Sequence, residues 1–164
     1  MMTTTTATLQ SAVIGKEQLL KHWQGHRNLT RKVIEAFPEK ELFEFSVAGM
    51  RPFSSLAIEM LSMCGPALKA IVERSATPYS EEDIAPKTKE ELLKLWDAET
   101  VTINTYFDQI PGEDFSQTFN LFGQYNFPIY QNILYFIDNE IHHRGQGYVY
   151  LRALNIQPPF FWDR

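Results

Sequence analysis

Residues 128–154 read PIYQNILYFIDNEIHHRGQGYVYLRAL, and the spacing of their apolar side chains decides the fold. Ile129, Ile133, Phe136, Ile137, Ile141, Tyr148 and Leu151 recur at helical steps and mark one face of a long α-helix. Pro128 suits the first turn, where a missing N–H costs nothing, and Asn155 is placed to cap the end.

Working outward, the same period appears three more times. Residues 16–37 place Leu19, Leu20, Trp23, Leu29, Val33, Ile34 and Phe37 on a helix that Pro38 stops. A second helix starts near Phe53 and carries Leu56, Ala57, Met60, Cys64, Ala67, Leu68 and Ile71; its Gly65-Pro66 step predicts a kink or break. A third follows the capping-box pattern Thr88-Lys89-Glu90-Glu91 and buries Leu92, Leu95, Trp96, Ile103 and Phe107 before Pro111-Gly112.

Residues 75–87 and 113–127 read as connections, the first long enough to cross a bundle. The aromatic tail 157–164 is expected to pack back on the helices, and the threonine-rich residues 1–15 to be flexible ahead of a single domain over 16–164. With no alternating strand pattern, the fold class is all-α. It is an antiparallel four-helix bundle wired either up-down-up-down or up-down-down-up.

Composition narrows the function. Of 164 residues, 44% are hydrophobic, enough to build a core, so a disordered chain is excluded. Lys plus Arg number 15 against 20 for Asp plus Glu, and no basic run follows a phosphate backbone, which argues against nucleic acid as a partner. Cys64 is the only cysteine, so no intrachain disulfide forms, and its apolar neighbours predict a buried, inert thiol. Without a secretory pattern or an apolar run of membrane-spanning length, a cytoplasmic protein with no membrane partner is expected.

The four histidines fall in two pairs, His22 with His26 and His142 with His143. Helical geometry turns His143 inward and His142 outward. Glu140 and His143 make the Glu-x-x-His spacing by which bundle helices present two metal ligands, and Asn139 with His143 makes the i, i+4 alternative. Either spacing also arises in a histidine that is simply hydrogen-bonded in the core. Glu59 is one of few polar residues on its helix, and is either on a wet rim or buried and paired. His26 lies on the core line of its helix, as a ligand or a hydrogen-bonded core residue, and Arg144 is expected to pair with a carboxylate.

The segment His142-His143-Arg144-Gly145-Gln146, followed by Tyr148, Leu151 and Pro158-Pro159-Phe160, resembles the last helix of the DinB family of damage-inducible bundle proteins. The resemblance implies up-down-down-up order, a homodimer, and a divalent metal held by three histidines. Carried over by position, these ligands fall on Glu59, Asn139 and His143, so two of the three histidines are replaced; Glu140 or His26 could stand in. The carboxylate can ligate a divalent metal, whereas the neutral amide is a poorer ligand for zinc or nickel than for harder cations. Two functions follow from the resemblance. One is a metal-dependent transferase or hydrolase acting on a small molecule with zinc, nickel, manganese or iron; the other is a non-catalytic small-molecule-binding or stress-response dimer that has lost the metal. The second predicts a pocket lined by Trp23, Phe136 and Tyr150 and closed by the tail.

Overall fold

The structure, a computed structural model, describes residues 13–75, 80 and 84–164; residues 1–12 of the expected flexible start and most of the 75–87 connection fall outside this set. Four long helices carry the chain: α1 (Lys16–Ala36), α3 (Phe53–Glu73), α4 (Lys89–Gln109) and α5 (Ile129–Ala153). The short α2 (Glu39–Glu44) links the first two. Thr88 caps α4 as its sequence predicts, its hydroxyl accepting from the Glu91 amide at 3.1 Å. Beyond α5, Asn155 takes a left-handed φ of 59° and the Ile156 amide returns to the Leu151 carbonyl at 2.8 Å, closing the helix.

Cross-helix partners give the wiring. Lys16 reaches the carbonyls of Asp108 and Ile110, Gln24 meets Asn104 and Arg31 meets Asp97, so α1 and α4 are antiparallel. Phe53 lies against Gly147, Glu59 meets His143 and Met63 meets Asn139, so α3 and α5 are antiparallel. Trp23 stacks on Phe136, while Val33 and Ile34 share a cluster with Tyr150 and Leu151, which makes α1 and α5 parallel. The order is therefore up-down-down-up, with α3 and α4 parallel.

The core is cut in two by a polar layer. One apolar cluster gathers Trp23, Leu68, Phe107 and Phe136, and the other Val33, Phe53, Trp96 and Tyr150. Between them lie the buried side chains of Arg27, Thr30, Glu140 and Arg144.

Several expectations are corrected. Gly65-Pro66 does not interrupt α3. Proline removes the donor that would serve the Ser62 carbonyl, and the neighbouring Gly65 amide is taken by the Glu99 carboxylate of α4, which approaches where a Cβ would stand. By length and composition α3 could also cross a membrane, yet 67% of its most apolar window is buried inside the bundle, as befits a core helix. Leu95 and Ile141, each 40% exposed, leave the core because they lie at the edges of their stripes.

Residues 113–127 are not a plain connection. A 3₁₀ turn (Gly112–Ser116) leads into an antiparallel hairpin of β1 (Thr118–Leu121) and β2 (Tyr125–Pro128). Phe122 and Gly123 both take positive φ, and the Gln124 amide bonds the Leu121 carbonyl at 3.0 Å, the turn that matches hairpin twist. The strands are too short for a clear two-residue alternation, and a phenylalanine holds one left-handed position. The tail does return to α1, but through Lys32 with Asp163 and His26 with Arg164. Phe160, Phe161 and Trp162 stay exposed, with Phe160 stacked on Trp162 and Phe161 edge-on to it.

Candidate functional site

Helix α5 touches α1 on one side and α3 on the other, and its polar residues divide between them. At about 100° per residue, Asn139 and His143 lie about 40° apart, as do Glu140 and Arg144, with about 60° between His143 and Glu140. The first pair therefore faces α3 and the second faces α1.

On the α3 side, His143 Nε2 stands 2.9 Å from Glu59 Oε1. A carboxylate only accepts, so Nε2 carries the proton that it donates. The other Glu59 oxygen accepts from the Arg51 guanidinium, and the loop bearing Arg51 is anchored by the Tyr150 hydroxyl, which donates to the Arg51 carbonyl at 3.0 Å. Burial pushes the Glu59 carboxyl up, but the hydrogen bonds and charges of Arg51 and His143 outweigh it and hold the group below the usual glutamate range. His143 Nδ1 is buried with no partner, and the Asn139 amide lies 4.0 Å from the Met63 sulfur.

On the α1 side, Glu140 is 1% exposed and accepts from the Thr30 hydroxyl at 2.6 Å. Arg27 and Arg144 approach its two oxygens at 3.9 and 3.8 Å. Arg27 is held by the Thr100 hydroxyl, the Trp96 carbonyl and the face of the Trp96 ring, 4.0 Å from the ring centroid. Burial pushes the Glu140 carboxyl up against the pull of both arginines, and it lowers Arg144.

The structure thus brings together two of the expected ligand positions, Glu59 and His143, with Asn139 one turn away. Glu140 and His26 do not substitute for a ligand there. Glu140 is committed to Thr30 and the arginines, and His26 faces His22, Arg144 and Arg164. Arg144 does have its carboxylate, though its nearer partners are the Thr30 hydroxyl and the His26 ring. Cys64 is buried as expected, and burial pushes its thiol up.

Among the described residues no three His, Cys, Asp or Glu side chains gather as a metal would require. The donor set of one imidazole, one carboxylate and one amide, with a guanidinium already on the carboxylate, does not fit a firmly held divalent ion.

The fold and motif have a family. A model of the DinB family matches residues 1–162. The chain belongs to the DinB family. Among solved structures, this DinB-family chain is similar to a DinB-like protein from Bacillus cereus, with TM-score 0.73 and 15% identity over 89% of this chain and 97% of that one. It is also similar to a DinB-like protein from Bacillus subtilis, with TM-score 0.70 and 20% identity over 90% of this chain and 99% of that one. At such identities the likeness speaks for the fold alone. No curated protein matches the chain.

Sequence reasoning missed Arg51, Arg27 and Arg164. Arg51 precedes its helix, and no helical spacing ties it to Glu59. Arg27 did leave a signal: Trp23, Arg27, Thr30 and Ile34 share one inward stripe, and charge on such a stripe calls for a buried partner. Trp23, Phe136 and Tyr150 do not line a pocket together; Trp23 and Phe136 fill one core cluster and Tyr150 the other. A cavity of about 410 Å³ instead lies where the start of α1 meets the 3₁₀ turn and α5, bounded by Lys16, Leu19, Phe115, Tyr130 and Leu134. It shares no residue with the Glu59–His143 pair.

Proposed function

We propose that this DinB-family bundle is a small-molecule-binding protein that works without a resident metal. The Arg51–Glu59–His143 network stands in for the family's metal centre. The observation that carries this reading is the Arg51 guanidinium on Glu59. It supplies a fixed positive charge to the carboxylate that a divalent ion would otherwise have to neutralise, and binding a metal there would first require breaking that pair. Asn139, the third position, offers only a neutral amide oxygen.

In this reading the ligand is a polar small molecule that meets Glu59 and Asn139 on the half-buried face between α3 and α5, with Glu59 as acceptor. The imidazole of His143 is held by the same carboxylate.

Elemental analysis of untagged protein after incubation with zinc, nickel, manganese and iron in turn tests the proposal, alongside Glu59→Ala and His143→Ala. Substoichiometric metal in all three proteins under every condition is the expected result. Near-stoichiometric metal in the native chain, lost in both variants, would overturn it and restore the metal-dependent transferase or hydrolase reading.

A further inference from the structure

A second polar site lies on the α1-facing side of α5 and is independent of the Glu59–His143 pair. His26, 5% exposed, receives a guanidinium on each ring nitrogen: Arg144 Nη2 stands 2.9 Å from Nδ1, and Arg164 Nη1 stands 3.0 Å from Nε2. The His22 ring adds a third approach, its Nε2 lying 3.2 Å from His26 Nε2. A neutral imidazole has one lone pair, and a protonated one has none. One arginine therefore points an N–H at a nitrogen that cannot accept it, and the contact lacks the anion that two guanidiniums would bind well.

The same residues border a cavity of about 300 Å³, walled by Ile141, Gly145, Tyr148 and Phe161. The Tyr148 hydroxyl is buried and has no hydrogen-bond partner. The nearby acids are engaged elsewhere: Glu140 lies behind Arg144 at 3.8 Å, and Asp163 is held by Lys32 at 2.8 Å. Among the described residues, no carboxylate forms an ion pair with Arg164.

We infer that this cavity is a binding site for a small organic monocarboxylate, clamped between the Arg144 and Arg164 guanidiniums and the Tyr148 hydroxyl. The carboxylate accepts the N–H that His26 cannot, and the apolar walls of Ile141 and Phe161 take the organic body. The apolar walls favour a carboxylate with an organic body over inorganic phosphate.

Isothermal titration calorimetry at low ionic strength and near-neutral pH, with benzoate, acetate and inorganic phosphate as probes, tests the site. Saturable benzoate binding with a Kd of about 1 mM or tighter is expected, ahead of acetate and phosphate. Arg164→Ala should weaken benzoate about tenfold or more, and Tyr148→Phe about threefold, in line with a charged and a neutral hydrogen bond. Lys94→Ala, which removes one positive charge on the far helix α4, should leave the affinity unchanged. Circular dichroism melts without ligand show that each variant folds; Tyr148→Phe, which deletes one unpartnered oxygen, serves if Arg164→Ala does not. Absence of saturation by about 20 mM benzoate, wild-type affinity in both binding variants, or a preference for phosphate over benzoate would overturn the assignment.

Discussion

Glu140 and His143 are three residues apart on α5 yet serve different neighbours: Glu140 bonds Thr30 of α1, and His143 bonds Glu59 of α3. The Glu-x-x-His spacing is therefore not a ligand pair here. It is the boundary between a buried ionic layer and a half-buried carboxylate–imidazole site.

Removing the acid at the centre of the buried layer should be costly. Glu140→Ala leaves Arg27 and Arg144 buried without their shared carboxylate, and a loss of about 3–5 kcal/mol is expected. Urea denaturation read by circular dichroism measures it; a loss within about 1 kcal/mol would show that the layer relaxes or admits water.

The Glu59 site should contribute less and do so with a defined pH dependence. Its folded pKa lies below the unfolded value of 4.5, so its contribution is complete above that pH and is lost as pH falls through the folded value. Glu59→Gln should destabilise the protein by about 0.5–1 kcal/mol near neutrality, since the Arg51 contact is partly solvated. The gap between native and variant should then close in acid, and parallel denaturation curves at neutral and acidic pH will show whether it does.

His26 titrates in a different window. Burial first, and then the charges of Arg144, His22 and Arg164, lower its pKa from 6.5 to about 4. Below pH 6.5 the unfolded chain takes up a proton that the folded chain refuses until about pH 4, so stability falls with pH across that interval. Thermal melts of native protein and His26→Gln should diverge in slope there, with the variant flatter.

The two glycines of the Arg144-Gly145-Gln146-Gly147 segment should behave oppositely. A Cβ at Gly147 would come within 2.5–2.9 Å of the Phe53 ring, itself stacked on Phe37 at 5.0 Å. Gly147→Ala should therefore cost about 1–2 kcal/mol despite its better helix propensity. A Cβ at Gly145 meets nothing within 4 Å, so Gly145→Ala should stabilise by about 0.5–1 kcal/mol. Melting temperatures of the two variants test both signs at once.

Much of this architecture was legible in the chain. Apolar spacing located the four long helices, Thr88 and Pro128 marked two starts, and the His142–Gln146 motif named the family. The hairpin at Thr118–Pro128 escaped because four-residue strands leave no readable period. Pro66 misled because α3 runs on through it, packed against α4, whose Glu99 accepts from the neighbouring Gly65 amide.

Sequence by itself determined the apolar face of each long helix and turned His143 and His26 inward, because a helix fixes side-chain angles about its own axis. Only the tertiary structure decided what each inward group meets. Up-down-down-up packing gives α5 two different partners, so a difference of about 60° sends His143 to Glu59 and Glu140 to Thr30. It also brings Arg51 and Arg164, which lie outside the helices, to side chains that no spacing connects them with.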